Sequence, residues 1–248
     1  MTRALTILLL LALGTSQAAC PPIHHDLEST VQKVNDGDTL VLTNGTRVRF
    51  IGINTPELGR NGKPEQAYAR QATRALKQLL ESASNKVILQ YGKQHKDRYR
   101  RRLAHVFLAD GTNISEVLLQ QGLAYRVAVP PNLNFQECYQ QAEQVARQKQ
   151  RGLWSTNRLS IKHLPQLTRG FHLVRGKILR LGHSKKSVWL NLDGPLSVRI
   201  ARKDLSHFSH LDFEQLANST VVVRGWIHNY KNSNIMRLRH SSMIEIMK

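Results

Sequence analysis

The sequence predicts a mainly β chain with added helices, an α+β protein built as two small β-barrels in succession. Three observations predict it. Short runs rich in Val, Ile, Leu and Thr are separated by turn dipeptides such as Asn44-Gly45 and Asp193-Gly194. One amphipathic stretch follows the third of these runs. After residue 170 the same order, β-β-β-α-β-β, occurs again, although the two halves share no sequence repeat.

Residues 31–35 and 39–43 are β-rich, and Asn44-Gly45 turns the chain into a third strand over 47–53. Pro64 suits a first helical position, so EQAYARQATRALKQLLESA behind it reads as one amphipathic helix. Two more strands follow at 86–90 and 102–108, separated by the basic run KQHKDRYRRR. Asn113 with Glu116, and Asn134 with Glu137, have capping-box spacing and start helices that end near Gly122 and Gly152. A barrel with one helix after its third strand closes this list economically. Residues 155–169 read as a linker. Strands are then expected at 172–181, 188–192 and 197–201, a short helix at 211–218, a strand at 220–229 and a last one within 235–246. The predicted organisation is a leader at 1–18, a first domain at 30–154, the linker at 155–169 and a second domain at 170–248.

The 248 residues carry 36 Lys and Arg against 17 Asp and Glu, a formal charge of +19, with 41% hydrophobic residues. That is too apolar for a disordered basic tail and too basic for an ordinary small-molecule enzyme. A folded protein with this field attracts polyanions, either nucleic acid or an anionic surface. Both halves contribute: residues 31–154 hold 19 basic and 10 acidic side chains, and residues 155–248 hold 16 and 5.

MTRALTILLLLALGTSQAAC has an early Arg3, an apolar run over residues 5–13 and small residues framing a cut near Ala18. It reads as a cleavable secretory signal, too short to span a bilayer. A lipoprotein cut before Cys20 is the rival reading, although Gln17 stands where such sites want an aliphatic residue. No later stretch is apolar enough for a membrane helix, so no stable membrane insertion is expected once the signal is cut. Export, to the periplasm or the medium, makes Cys20 and Cys138 candidates for a disulfide, with two thiols as the alternative.

DGDTL and INTPE end the two arms of a hairpin, so Asp38, Asn54, Thr55 and Glu57 are expected at one rim of the first barrel. Carboxylate, amide and backbone oxygens are the ligands Ca²⁺ takes. Pro56 keeps Thr55 extended, which aims the Thr55 carbonyl outward. An acidic turn plus a cap is the other reading of the same residues. Arg49 lies on the strand leading into INTPE, and Arg101 lies in DRYRRRLA. A phosphodiester transition state is an oxyanion, stabilised by a cation and guanidinium donors and attacked by a water that needs a base.

VNDGDTLVL, RVRFIGINTPE, KPEQAYARQA, DRYRRRLAHVFLADG and VLLQQGLA follow, in order and spacing, the pattern of the staphylococcal-nuclease-like (thermonuclease) family. The resemblance covers residues 30–154. It implies an OB-type barrel with flanking helices and Ca²⁺-dependent hydrolysis of DNA and RNA phosphodiesters. Asp38, Asn54 and the Thr55 carbonyl match its calcium positions, Glu57 its general base, and Arg49 and Arg101 its phosphate-binding arginines. Two positions depart from the pattern. Asn54 replaces a common Asp and removes a charge from the metal site. Arg100 stands where Gly is usual, which loosens the register of Arg100, Arg101 and Arg102; Asp97, Tyr99 and Leu103-Ala104 favour Arg101.

The second half resembles the strands of a nucleic-acid-binding OB fold, with Trp189, Trp226 and Tyr230 as stacking groups if they are not core. The scattered histidines lack a zinc spacing. The sequence thus points to an exported calcium-dependent nuclease of low sequence specificity. A non-catalytic nucleic-acid binder on the same barrel is the alternative, for which Asn54 speaks. An envelope protein binding anionic polymer, with no metal dependence, is the third.

Overall fold

A computed structural model describes residues 20–59, 62, 64–155 and 159–247. The expected leader at 1–18 lies outside the described residues. In the first half the elements are β1 (Leu27–Asp36), β2 (Thr39–Leu42), β3 (Arg47–Phe50), β4 (Ile53–Asn54), α1 (Ala69–Ser82), β5 (Lys86–Lys96), β6 (Arg102–Phe107), α2 (Ile114–Gln120), β7 (Tyr125–Arg126) and α3 (Gln136–Gln148). Strands β1-β2-β3-β6-β5 close into a barrel, with β3 and β6 parallel and the other neighbours antiparallel. Its core is aliphatic, built from Leu40, Leu42, Val48, Leu89 and Val106 with Leu76 and Leu80 of α1 laid over it.

The second half contains β8 (Leu159–Ser160), β9 (Gly170–His183), β10 (Ser187–Leu192), β11 (Leu196–Ala201), β12 (Thr220–Tyr230), β13 (Ser233–Leu238) and β14 (Ile244–Met247). Strands β9-β10-β11-β13-β12 return to β9 and close a second ring, with β8 and β14 added at its margins. Counted from its own first strand, each ring runs 1-2-3-5-4, and in each the third and fifth strands are parallel. Both are the small Greek-key barrel expected of this chain.

Several local expectations are corrected. Helix α1 begins at Ala69, not near Pro64, after Tyr68 in a left-handed conformation (φ 68°). The residues before it are held elsewhere: Gln66 exchanges hydrogen bonds with the Glu57 backbone. Asn113 does cap α2, accepting from the Ser115 and Glu116 amides. Asn134 caps nothing, because Phe135 (φ 64°) turns its ring against His105 and Phe107 and α3 starts only at Gln136. The start of the basic run, residues 93–96, lies on β5 rather than in a loop. The expected linker is packed from Leu159 on: β8 pairs with β9, and Ile161 and Leu164 enter the second core. The helix expected at 211–218 is a single 3-10 turn at Glu214–Leu216, preceded by another at Arg202–Phe208. The last expected strand is two, β13 and β14, broken at Ser241–Met243.

Cys20 and Cys138 are joined in a disulfide that ties the start of the described chain to α3. His105 is buried beside Tyr139, and burial pushes its imidazole down to about 3, so it is neutral at working pH. Among the described residues no helix is long and apolar enough to cross a membrane.

The two barrels are docked through charge. Along β12 the odd residues Val221, Val223 and Ile227 face the second core, so the even residues face outward. Arg224 on that outward face is nonetheless only 1% exposed, because Glu143 and the Arg126 carbonyl of the first half close over it. Arg224 donates to both Glu143 carboxylate oxygens (2.7 and 2.9 Å), to the Arg126 carbonyl (3.2 Å) and to Glu245. Arg147 bridges the same two carboxylates, at 2.9 Å to Glu143 and 2.6 Å to Glu245. Burial by itself raises the Glu143 carboxyl; Arg224, Arg147 and Arg126 outweigh it and hold it below its ordinary value.

Removing Arg224 while keeping Glu143 leaves a buried charge short of its main partner. Arg224→Met should cost about 3–5 kcal/mol in urea unfolding, and Arg224→Met with Glu143→Leu should recover much of it. Because the folded-state pKa of Glu143 is depressed, its contribution is present above the ordinary value of 4.5 and is lost as pH falls through the folded value. Stability of the wild type should therefore drop below about pH 4.5, and less so in the double variant.

Candidate active site

The turn between β1 and β2, Asp36-Gly37-Asp38, lies at the rim of the first barrel directly against α1. A Cβ on Gly37 would stand 2.7 Å from Ala72 Cβ and 2.9 Å from Thr55 Cβ. That close approach seats Asp38 beside Thr55, whose amide donates to Asp38 Oδ2 at 2.7 Å. The other Asp38 oxygen accepts from the Thr39 hydroxyl, and Asp36 Oδ1 accepts from the Asp38 amide.

Arg49 projects from β3 into the same rim. Its Nη1 donates to the Phe50 and Ile53 carbonyls and lies 3.0 Å from Asp38 Oδ2, while Nη2 donates to Asn54 Oδ1 at 3.0 Å. The turn from β3 to β4 passes through Gly52 at φ +84°, with its α-carbon against the Tyr139 ring. Strand β4 then pairs with β7, Asn54 opposite Tyr125, which fixes Asn54 at the rim. The Asn54 amide donates to the Thr55 carbonyl at 3.2 Å. Glu57 is exposed, and its backbone is clamped on both sides by Gln66.

Arg101 approaches from the β5–β6 turn. Asp97 organises that turn, accepting from the Tyr99 amide (2.9 Å), the Arg101 amide (3.0 Å) and Arg101 Nε (2.7 Å). Arg100 takes the left-handed conformation, φ 63°, where glycine is the easier residue. Arg102 turns away and lies over the Tyr91 ring. The geometry thus sets Arg101, rather than either neighbour, beside the acidic rim.

One open cleft of about 640 Å³ is lined by Asp36, Asp38, Arg49, Asn54, Glu57 and Arg101. Thr55 is not among the lining residues: it is buried behind Asp38 and Asn54, its amide donating to Asp38 and its carbonyl accepting from Asn54. Burial and the neighbouring Asp38 push the Asp36 carboxyl up to about 6. Every group offered here for a cation is a hard oxygen: the Asp38 carboxylate, the Asn54 amide and the Thr55 peptide carbonyl. Among the described residues no three His, Cys, Asp or Glu side chains form a metal-binding group by themselves. The amide and the carbonyl complete the set instead, and one guanidinium reaches both Asp38 and Asn54, so those oxygens converge. This donor chemistry fits Ca²⁺ rather than a softer transition metal.

Two lining residues come from the second barrel, Trp226 and Arg239. The sequence marked Trp226 as a stacking group without locating it, and it gave no signal for Arg239. Of the other aromatics, Tyr230 is exposed and Trp189 half-buried, neither of them in the core.

The family model described as staphylococcal nuclease homologue matches residues 47–156. The thermonuclease of Staphylococcus hyicus is 37% identical over 128 residues, covering 50% of this chain and 74% of that protein. The thermonuclease of Staphylococcus intermedius is 35% identical over 127 residues, with the same coverage of 50% and 74%. The SPbeta prophage-derived endonuclease YokF of Bacillus subtilis (strain 168) is 34% identical over 137 residues, 53% of this chain and 45% of that protein.

Gly37 is the packing constraint of the rim. Gly37→Ala forces Ala72 and Thr55 apart and should lower the unfolding free energy by about 1–3 kcal/mol, read from the shift in urea midpoint at constant slope.

Proposed function

This chain belongs to the staphylococcal nuclease family, and on that premise we propose that it is an exported, Ca²⁺-dependent nuclease hydrolysing phosphodiester bonds of DNA, RNA or both with low sequence specificity. The observation that carries the reading is the single cleft in which Asp38, Asn54, Glu57, Arg49 and Arg101 stand together. A nucleic-acid hydrolase is also what the thermonuclease and endonuclease relatives are named for. We assign the catalytic unit to residues 30–154 and a nucleic-acid-binding unit to 170–248.

Asp38, Asn54 and the Thr55 carbonyl would hold the cation. Ca²⁺, when bound, supplies positive charge beside a phosphate oxygen. Glu57, exposed on a clamped backbone, accepts the proton of the attacking water. Arg49 and Arg101 donate to the phosphate oxygens as negative charge grows on them, and Asp97 holds Arg101 oriented for this. Low specificity follows from recognition that rests on phosphate and cation, groups every nucleotide carries. Export is supported by the signal-like residues 1–18 and by the Cys20–Cys138 disulfide, which persists in oxidising compartments.

The test is degradation of plasmid DNA and of RNA by the purified protein, with calcium and with a chelator. Glu57→Gln should keep the fold and polynucleotide binding while losing about 10²–10⁴-fold in rate, and the chelator should abolish wild-type cleavage. Wild-type activity in Glu57→Gln, or activity indifferent to the chelator, would refute this mechanism. Complete inactivity with tight binding would instead favour the non-catalytic binder, the reading that Asn54 supports.

Asn54 contributes a dipole but no full charge, so the site should half-saturate near 10⁻⁴–10⁻³ M calcium, about the range of extracellular calcium modules. Asn54→Asp should lower the calcium needed for half-maximal cleavage in a titration at fixed ionic strength. If the variant needs as much calcium as wild type, Asn54 is not a ligand.

A further inference from the structure

The cleft that holds the acidic rim and Arg101 has its opposite wall in the second barrel, at Trp226 on β12 and at Arg239 just after β13. Trp226 lies on the outward, even-numbered face of β12, two residues beyond Arg224. Where Arg224 is sealed in the seam, Trp226 emerges from it and is 42% exposed. A core tryptophan would not be so open. Its ring is also held in place: Phe171 meets it edge-on, with centroids 5.1 Å apart and planes at 71°.

Arg239 borders this cleft and also a second concavity of about 460 Å³ lined by Lys93, Lys203 and His207. Positive charge is in excess there. Asp204, a buried carboxylate beside Arg239, is 3.7 Å from Arg239 Nε and already accepts from Arg237 at 2.7 Å. Cationic side chains therefore continue outward from the catalytic rim by way of Arg239. The wall cannot swing away freely, because Ala128 donates to Met243 and Arg126 to the Ser242 carbonyl across the seam.

We propose that the second barrel is a wall of the active site, in which Trp226 stacks on an unpaired base next to the cleaved phosphodiester and Arg239 binds the phosphate that leads on toward Lys93 and Lys203. The inference rests on the nuclease reading and deepens it to a substrate class, single-stranded polynucleotide. A base must leave its duplex stack to lie on an indole, and stacking tolerates any base because every base has a π-face. An acidic protein would also be drawn to the cations, but it has no use for a rigid indole beside the reactive phosphate. Trp226 and Arg239 are positioning residues here, acting on the substrate's hold rather than on its bond cleavage.

The test uses the full chain as wild type, Trp226→Ala, Trp226→Phe and Arg239→Gln, with a single-stranded 20-mer oligonucleotide. Trp226→Ala should raise KM about 10-fold or more with kcat little changed, and Trp226→Phe should restore most of the loss. Arg239→Gln should make log KM about 0.7 less steep in log salt, the share of one phosphate contact on a single strand. In a Glu57→Gln background, oligonucleotide should quench tryptophan fluorescence, and that quench should be largely lost in Trp226→Phe. The quench needs no turnover, so it separates the two readings. A wild type that cleaves nothing sinks the nuclease reading alone. Unchanged KM, salt slope and quench in a wild type that cleaves overturns the wall and leaves the nuclease standing. Should Trp226→Ala fail to fold, the Phe variant and the Arg239 salt slope still decide.

Discussion

Arg224 is a cation at 1% exposure on the outer face of a barrel strand, and the arrangement of the whole molecule depends on what surrounds it. Moving a guanidinium out of water costs several kcal/mol, which only close, well-directed acceptors offset. Here Glu143 comes from α3 of the first half and Glu245 from β14 of the second, with Arg147 bridging both. A hydrophobic seam of the same size would tolerate sliding and rotation. A buried carboxylate met by two guanidiniums does not, since small displacements break charge-assisted bonds whose groups cannot be rehydrated. Val127 and Ala128, chain-wise part of the first half, pack into the second core beside this cluster and fix the docking further.

That docking has a functional consequence through the alternation of one strand. Because β12 sends even residues outward, the seam and the cleft are successive stations on the same face, first Arg224 and then Trp226. Setting the ion cluster therefore also sets the distance of the indole from the acidic rim. The rim itself is fixed from below by contact rather than charge. Gly37 lets the Asp36–Asp38 turn lie on Ala72, and Asp38 can then reach the Thr55 amide. Arg49 and Asp97 finish the arrangement by orienting, respectively, the amide oxygen of Asn54 and the guanidinium of Arg101.

The two barrels share the 1-2-3-5-4 order although their sequences show no repeat. Five short strands, a longer connection after the third and a parallel third–fifth pair form an economical closed sheet, and closure removes the exposed edges that an open sheet would leave. The connection after the third strand is where they differ. In the first barrel it carries β4, Glu57 and α1, and so builds the site. In the second it carries only the 3-10 turns at Arg202–Phe208 and Glu214–Leu216. In our reading the same frame thus serves chemistry in one copy and substrate holding in the other.

What the sequence determined by itself was local. Alternation and turn dipeptides placed most strands, the Asn113 cap placed α2, and the acidic rim was legible because Asp38, Asn54, Thr55 and Glu57 lie within one hairpin and its exit. Arg101 was legible through a motif of neighbouring residues. Where local signals competed with packing, packing won. Pro64 lost its helix start to the Gln66–Glu57 hydrogen bonds, Asn134 lost its cap to the burial of Phe135, and the expected linker was drawn into the second core by Ile161 and Leu164. Only the tertiary structure decided that Arg224 meets Glu143, 81 residues away, and that Trp226 and Arg239 face a rim formed by residues 36–57 and Arg101. Periodicity and caps report which face of an element is apolar and where it ends. They carry no information on which polar residues of the two barrels will meet, because that choice is made by the shape and charge of surfaces to which residues far apart in the chain contribute together.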